Sequence, residues 1–300
     1  MEQRNKGQVA VERARLASDY IVLAVTFGAF FLISSGYFII SFVMSEEAQN
    51  LNSAEFILGL VGTSIGGLMV FGSLLLLGMF LVRMARQTML GNSLQIEYSD
   101  YAWLRDWINT VSADLGLPRV EVFVTQNPVM NAYAFGFTRP YCIVLNSGSI
   151  RYLTDDELRV IVVHEMAHIK YGHTSALVYL QPFMSLPIIS AFGSWIAGFW
   201  NRRAELTADR LALMYLLNPE LVKSALIKIH VGPDVAKSMN QIARDWLQYN
   251  AERPMNRVAQ TFSTHPFLVR RLSHIDRYAR QIMQKPILSI QGHPSLDRSL

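Results

Sequence analysis

The sequence predicts a mainly helical α+β protein, in which an N-terminal hairpin of two transmembrane helices precedes a larger domain with a small β-sheet. Three observations predict this class. Two long runs without a charged residue lie between residues 20 and 82, and three short segments rich in β-branched and aromatic residues lie between residues 120 and 145. Hydrophobic residues make up 51% of the 300 residues and charged ones only 17%, which is typical of a membrane protein.

The two charge-free runs form the predicted hairpin, residues 20–82. A polar N-terminal segment, residues 1–19, comes first. Tyr20–Met44 and Phe56–Val82 then provide 25 and 27 residues without a charge. One membrane crossing needs about 20 apolar residues, and the apolar core of a signal peptide is shorter, about 7–15. The second run contains Gly62-Thr63-Ser64-Ile65-Gly66, a spacing of small residues that allows another helix to approach closely.

Basic residues predict the orientation of this hairpin. The connecting loop, Ser45–Glu55, contains three glutamates and no lysine or arginine, whereas Arg83 and Arg86 follow the second run at once. The positive-inside rule therefore places both ends of the hairpin in the cytoplasm. We expect an integral membrane protein, in the inner membrane if the source is bacterial, with its larger domain on the cytoplasmic side and the lipid bilayer as a partner.

Composition excludes some classes of partner and compartment. The single cysteine, Cys142, can form no internal disulfide, which fits a reducing compartment. The net charge is +4, but the chain has no long basic run and no zinc-finger spacing. Nucleic acid is therefore not an expected partner.

The larger domain is predicted to span residues 99–284, after a linker at 83–98 and before a flexible tail at 285–300. Turn-forming residues separate its predicted strands, and apolar residues at helical spacing define its helices. Strands are predicted at Val120–Thr125, Asn131–Phe137 and Tyr141–Leu145, and helices at Tyr101–Leu115, Thr154–His173, Asn201–Leu217, Leu221–Ile229, Val235–Tyr249 and Leu268–Met283.

The stretch that carries the predicted chemistry is HEMAH, residues 164–168, within the helix Thr154–His173. Residues four apart share one face of a helix, so His164 and His168 can direct two imidazoles at one metal ion. Glu165 lies beside that ion without having to ligate it, where it can take a proton from a water. A pair of surface or helix-packing histidines is the alternative interpretation.

A third charge-free run, Thr174–Asn201, follows the metal helix and contains two prolines and two glycines. If it crossed the membrane once, no later residue could share a metal ion with His164 and His168. It is too short for two full crossings, which need about 40 residues. We therefore expect a broken hairpin at 174–200 that dips into the membrane or lies on its surface. A buried hairpin of the domain is one alternative, and a contact within a homo-oligomer is the other.

The third metal ligand is expected on the next predicted helix. Catalytic zinc keeps three protein ligands and one open position. A third histidine six residues after His168 is one known solution, but Thr174 stands there, and His173 faces elsewhere on the helix. Glu205 fits the other solution, a glutamate on a later helix. Asp209, one turn further on, can accept the free N–H of a ligating imidazole, although a solvated charged face would have the same pattern.

HEMAH followed by Glu-x-x-x-Asp resembles the HtpX-type membrane zinc metallopeptidases and the related CAAX prenyl endopeptidases, which are gluzincins. NAYAFG at residues 131–136 is similar to the family's N-A-F-A-x-G strand, and THP at 264–266 to its late T-H-P segment. Arg202 matches an arginine three residues before the ligand glutamate. HtpX proteins have two clear spans where this chain has the short run 174–200. The prenyl endopeptidases have more spans than this chain can build, so farnesyl-peptide processing is not expected.

This resemblance implies a gluzincin-like domain and a zinc metalloendopeptidase that holds one Zn²⁺ per chain and hydrolyses membrane or misfolded proteins. The implied metal ligands are His164, His168 and Glu205, with Glu165 as general base. The remaining implied roles are oxyanion stabilisation by His265, support of the ligands by Asp209 and Arg202, and substrate pairing along an edge strand by Asn131, Ala132, Tyr133 and Ala134.

Non-catalytic interpretations of these residues remain as alternatives. His265 has the alternative of a helix-capping or surface residue, and 131–134 that of an ordinary core strand. A non-catalytic zinc scaffold is a second class of function, which an intact Glu165 disfavours because a structural site needs no general base. An assembly factor with an accidental motif is a third class, and it would bind no zinc.

Overall fold

The computed structural model describes residues 14–16, 19–137, 139–176, 178, 190–261, 263 and 266–284. Their secondary structure is mainly helical with one small sheet, which confirms that part of the predicted class. His265, most of the polar N-terminal segment, the middle of the run 174–200 and the predicted tail at 285–300 lie outside the described residues.

The N-terminal part is an antiparallel helical hairpin. Its helices are α1, Asp19–Val43, and α3, Ser53–Leu90, and the short α2, Glu46–Gln49, lies between them. The end of α1 contacts the start of α3, where the ring centroids of Phe42 and Phe56 are 5.7 Å apart. Among the described residues, α3 alone is long and apolar enough to span a membrane by length and composition. Only 6% of its apolar 18-residue stretch is buried.

Two glycines of α3, Gly59 and Gly67, lie where α1 approaches. Gly59 and Gly67 lie against aromatic side chains of α1, whereas no atom lies within 4 Å of the place that a Cβ of Gly62 or Gly66 would occupy. Packing of the Gly62–Gly66 face against another helix, which the spacing of small residues allows, therefore stays a prediction. A turn of helix is about 3.6 residues, so Gly59 and Gly67, eight apart, also share one face.

The sheet has four strands in the order β1-β2-β4-β3. Strands β2 and β4 are parallel, and β1 and β3 pair antiparallel at the two edges. The strands are β1, Ser93–Gln95; β2, Val120–Thr125; β3, Ala132–Phe135; and β4, Tyr141–Asn146.

The segment 83–98 is structured, in contrast to the predicted linker. Helix α3 continues to Leu90, β1 follows, and Ile96–Tyr98 forms a 3-10 turn whose Ile96 is buried in the core. A strand of three residues is too short to display an alternating pattern, so the sequence offered no sign of it.

Nine further helices have both of their ends among the described residues. Helix α7 begins at Ser190 instead of 201, and the predicted helix 235–249 is divided into α9 and α10 before the capping residue Asn240. The sequence did not predict α5 and α11. The helices are α4, Ala102–Asp114; α5, Ser147–Tyr152; α6, Asp155–Lys170; α7, Ser190–Leu216; α8, Pro219–Val231; α9, Pro233–Lys237; α10, Gln241–Glu252; α11, Pro254–Thr261; and α12, Leu268–Gln284.

Helix α6 lies at the centre of the domain core. A capping box of Thr154 and Glu157 begins it, and Lys228 and Ser224 of α8 also donate hydrogen bonds to the Glu157 carboxylate. Gly172, with φ +71°, makes the turn after its last residue, Lys170. The helix therefore ends before the predicted His173, because the backbone takes a left-handed conformation at Gly172.

A second, smaller apolar cluster joins the hairpin to the domain. Trp200 and Ala204 of α7 are buried in it, and Val22 and Leu23 of α1 pack against it. At its edge Thr207 of α7 donates a 2.6 Å hydrogen bond to the Asp19 carboxylate, and the Arg203 Nε lies 3.4 Å from the same group. The first residue of the hairpin is therefore attached to the middle of α7.

Candidate metal centre

Three side chains converge between α6 and α7. The Nε2 atoms of His164 and His168 lie 3.2 Å apart, and the Glu205 carboxylate oxygens lie 3.4 Å from the first and 3.6 Å from the second. One ligand atom of each residue falls within 4.8 Å of the other two. The i,i+4 spacing on α6 sets the histidine pair, and α7 crosses α6 where Glu205 faces it.

These separations fit a tetrahedral ion. Ligand atoms about 2.0–2.1 Å from a tetrahedral zinc lie about 3.3–3.4 Å from one another, which is the spacing that the three residues display. Two imidazole nitrogens and one carboxylate form the donor set of many catalytic zinc sites, and such sites keep a fourth position open. The residues therefore fit the zinc ion that the sequence predicts.

Both imidazoles are oriented from behind. His164 Nδ1 lies 3.1 Å from a carboxylate oxygen of Asp209, a position that favours a proton on Nδ1 and directs Nε2 towards a metal. His168 Nδ1 lies 3.0 Å from Nδ1 of His173. The turn at Gly172 brings His173 back beneath the helix, so it supports a ligand although it does not share the helix face.

Arg271 of α12 is the residue of this site that the sequence analysis missed. It donates two hydrogen bonds to Asp209, of 2.8 and 2.6 Å, and its Nη1 lies 3.1 Å from Glu205. It is 4% exposed, so water screens its attraction to these two carboxylates only weakly. No local signal distinguished it, because the neighbouring Arg270 has the same side chain and points to another surface.

The charges of the site favour a divalent cation. Glu165, Glu205 and Asp209 oppose the single guanidinium of Arg271. With neutral histidines two negative charges remain, and one divalent ion would balance them.

The histidine pKa values reflect the same imbalance. Burial lowers the pKa of His168 to about 4. Burial acts on His164 in the same direction, but hydrogen bonds with Asp209 and Glu205 outweigh it and raise its pKa to about 10. In the metal-free protein a proton on His164 thus offsets part of the negative charge.

Glu165 is half-buried on α6, next to His164 in sequence. Burial alone would lower the pKa of the Arg271 guanidinium. The negative charges of Asp209, Glu205 and Glu165 outweigh burial and raise that pKa. Glu165 is therefore close enough to the site for its charge to act on Arg271. Its role as general base stays a prediction.

Two predicted residues lie elsewhere or outside the description. Arg202 donates to the backbone carbonyl of Ser263 and lies 5.7 Å from the ring centroid of Phe199. These contacts belong to a groove on another face of α7, so its support of the ligands stays a prediction. His265 lies outside the described residues.

The predicted substrate strand lies at an edge of the sheet, beside α6. Within the described residues β3 pairs with β4 alone, and its Tyr133 is 37% exposed. Asn131 lies just before the strand, and its side-chain oxygen accepts a hydrogen bond from the amide of Ala132. Its backbone carbonyl accepts hydrogen bonds from the amide of Asn146 and the hydroxyl of Ser149. The strand is thus fixed along one side only.

Gly136 explains why this strand can lie so close to the metal helix. A Cβ there would lie 2.6 Å from Thr174 Oγ1 and 3.2 Å from the Ile169 Cα. Any side chain would push the end of β3 away from the end of α6. The glycine of the NAYAFG segment therefore sets the distance between the strand and the site.

Comparison with known proteins gives one family. The profile described as Peptidase family M48 matches residues 99–279. This range extends from just before α4 into α12 and includes all of the residues described above as facing the site. The hairpin lies outside it.

Several curated proteins are similar along most of their length. The chain is 30% identical over 245 residues to the plastoglobule-localized metallopeptidase 48, chloroplastic, of Arabidopsis thaliana. The match covers 75% of this chain and 70% of that protein. It is 21% identical over 290 residues to the protease HtpX homolog of Bacteroides fragilis, with 81% and 89% covered. The protease HtpX homolog of Moorella thermoacetica is 24% identical over 316 residues, with 91% and 99% covered.

Among solved structures, the crystal structure of S. mikatae Ste24p matches with a TM-score of 0.47 and 17% sequence identity. The match covers 86% of this chain and 65% of that one.

Proposed function

The chain belongs to peptidase family M48, and we propose that it is a membrane-anchored zinc metalloendopeptidase that cleaves polypeptides at the cytoplasmic face of a bilayer. Family membership confirms the resemblance to HtpX-type proteases and makes the chain a metallopeptidase.

The observation that carries the proposal is the spacing of His164, His168 and Glu205, whose ligand atoms are 3.2–3.6 Å apart. When zinc is bound there, it acts as a Lewis acid that lowers the pKa of a water and polarises the scissile carbonyl. Asp209 and His173 hold the two imidazoles in the orientation that leaves their Nε2 atoms available.

Glu165 moves the proton in this scheme. Its carboxylate accepts a proton from the attacking water and passes it to the nitrogen of the leaving amine, so that the amine departs neutral. Arg271 keeps Glu205 and Asp209 ionised, because its charge stabilises both carboxylates in a buried place.

An extended substrate would pair with the edge of β3 that no described strand occupies. Backbone pairing at an edge strand places consecutive peptide groups at a fixed distance from the neighbouring helix, and α6 is that helix. Such pairing needs a segment without secondary structure of its own, which favours misfolded or partly unfolded polypeptides as substrates.

The membrane anchor is the helical hairpin α1–α3. Its apolar side chains are exposed along the helices, and the loop between them is acidic while basic residues follow α3. With Cys142 replaced by Ser, cysteines at Gln49, Asn92 and Asp234 would test this topology. An impermeant thiol reagent applied outside should label only Gln49→Cys; labelling of Asp234→Cys would contradict it.

The test of the function is proteolysis by the full chain and by Glu165→Gln, in detergent with zinc and an unfolded protein substrate. The variant should keep about one zinc per chain and lose a factor of about 10²–10⁴ in rate, since its ligands remain while the base is gone. Zinc loss from the variant would make Glu165 a ligand. Zinc binding without cleavage by the unmodified chain would favour the non-catalytic scaffold.

A further inference from the structure

A second concave surface lies on a different face of α7 from the metal centre. It is a groove of about 610 Å³ between α7, α10, α11 and α12. Its lining is strongly basic, with a single acidic residue, Glu252. The arginines that line it are Arg202, Arg203, Arg257, Arg270 and Arg277.

Most of this positive charge is not neutralised within the described residues. Arg203 lies near Asp19, and Arg202 donates to a backbone carbonyl, which carries no net charge. Arg257, Arg270 and Arg277 have no acidic partner in the described part of the chain. Burial, and after it the charge of Arg270, lowers the pKa of Arg202. A bound anion would relieve this repulsion and could accept several hydrogen bonds from planar guanidinium groups.

The groove lies at the level where the hairpin leaves the domain. Arg203, in its wall, lies 3.4 Å from Asp19, the first residue of α1, and the apolar run of that helix starts at the next residue. One turn earlier on α7, Phe199 lines the groove and is 51% exposed. Gly198 approaches Ser263, just after α11, closely enough that a Cβ would lie 3.2 Å from its carbonyl oxygen. The groove therefore extends to the boundary where phospholipid headgroups would begin.

An exposed apolar face borders the groove on α10 and α11. Its side chains recur at helical spacing and are between 54% and 77% exposed, on helices whose other face lines the groove. The face consists of Ile242, Trp246, Tyr249, Met255 and Val258. Aromatic and aliphatic side chains beside basic residues are typical of helices that lie in a membrane interface. A soluble phosphate compound would leave this face uncovered.

We propose that the arginine groove binds the phosphate group of an acidic phospholipid, whose acyl chains pass the apolar face of α10 and α11. This rests on the membrane anchorage proposed above, and not on the peptidase activity. Phosphate suits the groove because guanidinium groups bind it through paired hydrogen bonds. The lipid would hold α10–α12, and with them Arg271, against the membrane-facing side of α7.

Native mass spectrometry of the full-length Glu165→Gln protein tests this inference without interference from self-cleavage. The protein would be released from detergent containing equal amounts of phosphatidylglycerol and phosphatidylcholine, and the retained lipids counted. The unmodified groove should retain phosphatidylglycerol in preference. Arg257→Gln combined with Arg277→Gln should weaken that retention by about 25-fold, since each arginine near an anionic lipid surface contributes about fivefold in affinity.

The matched control is Arg253→Gln with Arg280→Gln, which removes the same charge from exposed positions outside the groove lining. It should retain phosphatidylglycerol as the parent does. Equal retention of the two lipids by the parent, or an equal loss in the control pair, would overturn the proposal. Displacement of the lipid by millimolar glycerol phosphate would also overturn it, because it would assign the groove to a soluble phosphate compound. A peptidase that proves inactive would leave this lipid count unaffected.

Discussion

The hairpin and the metal centre solve opposite problems of burial. In α3 large apolar side chains are exposed, and almost none of its apolar 18-residue stretch is buried. At the metal centre, in contrast, two carboxylates, two imidazoles and one guanidinium are almost fully buried. The first arrangement suits apolar surroundings such as the proposed membrane anchorage would provide. The second is stable only if every charge has a partner. The two meet at Asp19, whose carboxylate lies at the start of the hairpin and accepts from α7.

The largest effect should come from removing the buried guanidinium of Arg271. Arg271→Met leaves Asp209 and Glu205 without their guanidinium, and uncompensated buried charges of this kind cost about 3–5 kcal/mol. Denaturant unfolding of the zinc-free protein measures this loss. Arg270→Met is the control, because Arg270 is exposed and should change stability by at most about 0.5 kcal/mol. Equal losses in the two variants would show that the site tolerates unpaired carboxylates.

A charge in the hairpin should have the next largest effect. Met69 lies near the middle of the second apolar run and is exposed, so Met69→Arg should disfavour membrane insertion by about 2.5–3.5 kcal/mol. The fraction of protein that resists alkaline extraction from membranes reports this. Val129→Arg places the same charge at an equally exposed position of the domain and should not change that fraction. Full extraction resistance in both variants would mean that water, not lipid, surrounds Met69.

The orientation of a ligand should matter less than its charge balance. Asp209→Asn removes the charge behind His164 and should weaken zinc binding about 10–100-fold. Competition with a chromophoric chelator measures the affinity. Asp114→Asn, an exposed acid that accepts from Tyr215, provides the control. An affinity unchanged by Asp209→Asn would mean that the imidazole keeps its orientation without the carboxylate.

The smallest effect concerns the start of the metal helix. Hydrogen bonds from Lys228, the Thr154 backbone and Ser224 outweigh burial and lower the pKa of Glu157. Glu157→Gln should therefore cost about 1–2 kcal/mol at neutral pH. A lowered folded pKa means that this contribution is present above the unfolded value, about 4.3, and is lost as the pH falls through the folded one.

Unfolding of the Glu157→Gln variant and its parent across that range should thus converge in acid. Asp106→Asn, at an exposed position on α4, should track the parent at every pH. A constant difference between Glu157→Gln and the parent down to strong acid would contradict the linkage.

Local periodicity explains which features could be predicted from the sequence. The i,i+4 histidines of α6, the position of Glu205 and Asp209 on one face of α7, and β2 depend on spacing within one element, which the letters display. Arg271 is 62 residues from Asp209, and only the packing of α12 on α7 brings them together. The strand β1 depends on its partner β2 in the same way. Both are tertiary facts without a local signature.

The attachment of the hairpin to α7 sets the limits of any soluble fragment. The family profile begins at residue 99, which suggests a place to cut, yet the fold does not separate there. A fragment starting at that residue would uncover Trp200 and Ala204 and remove the acceptor of Thr207, two residues from Glu205. Such a fragment would expose an aggregation-prone apolar surface close to its candidate metal centre. Purification should therefore keep the hairpin, even when only chemistry in solution is of interest.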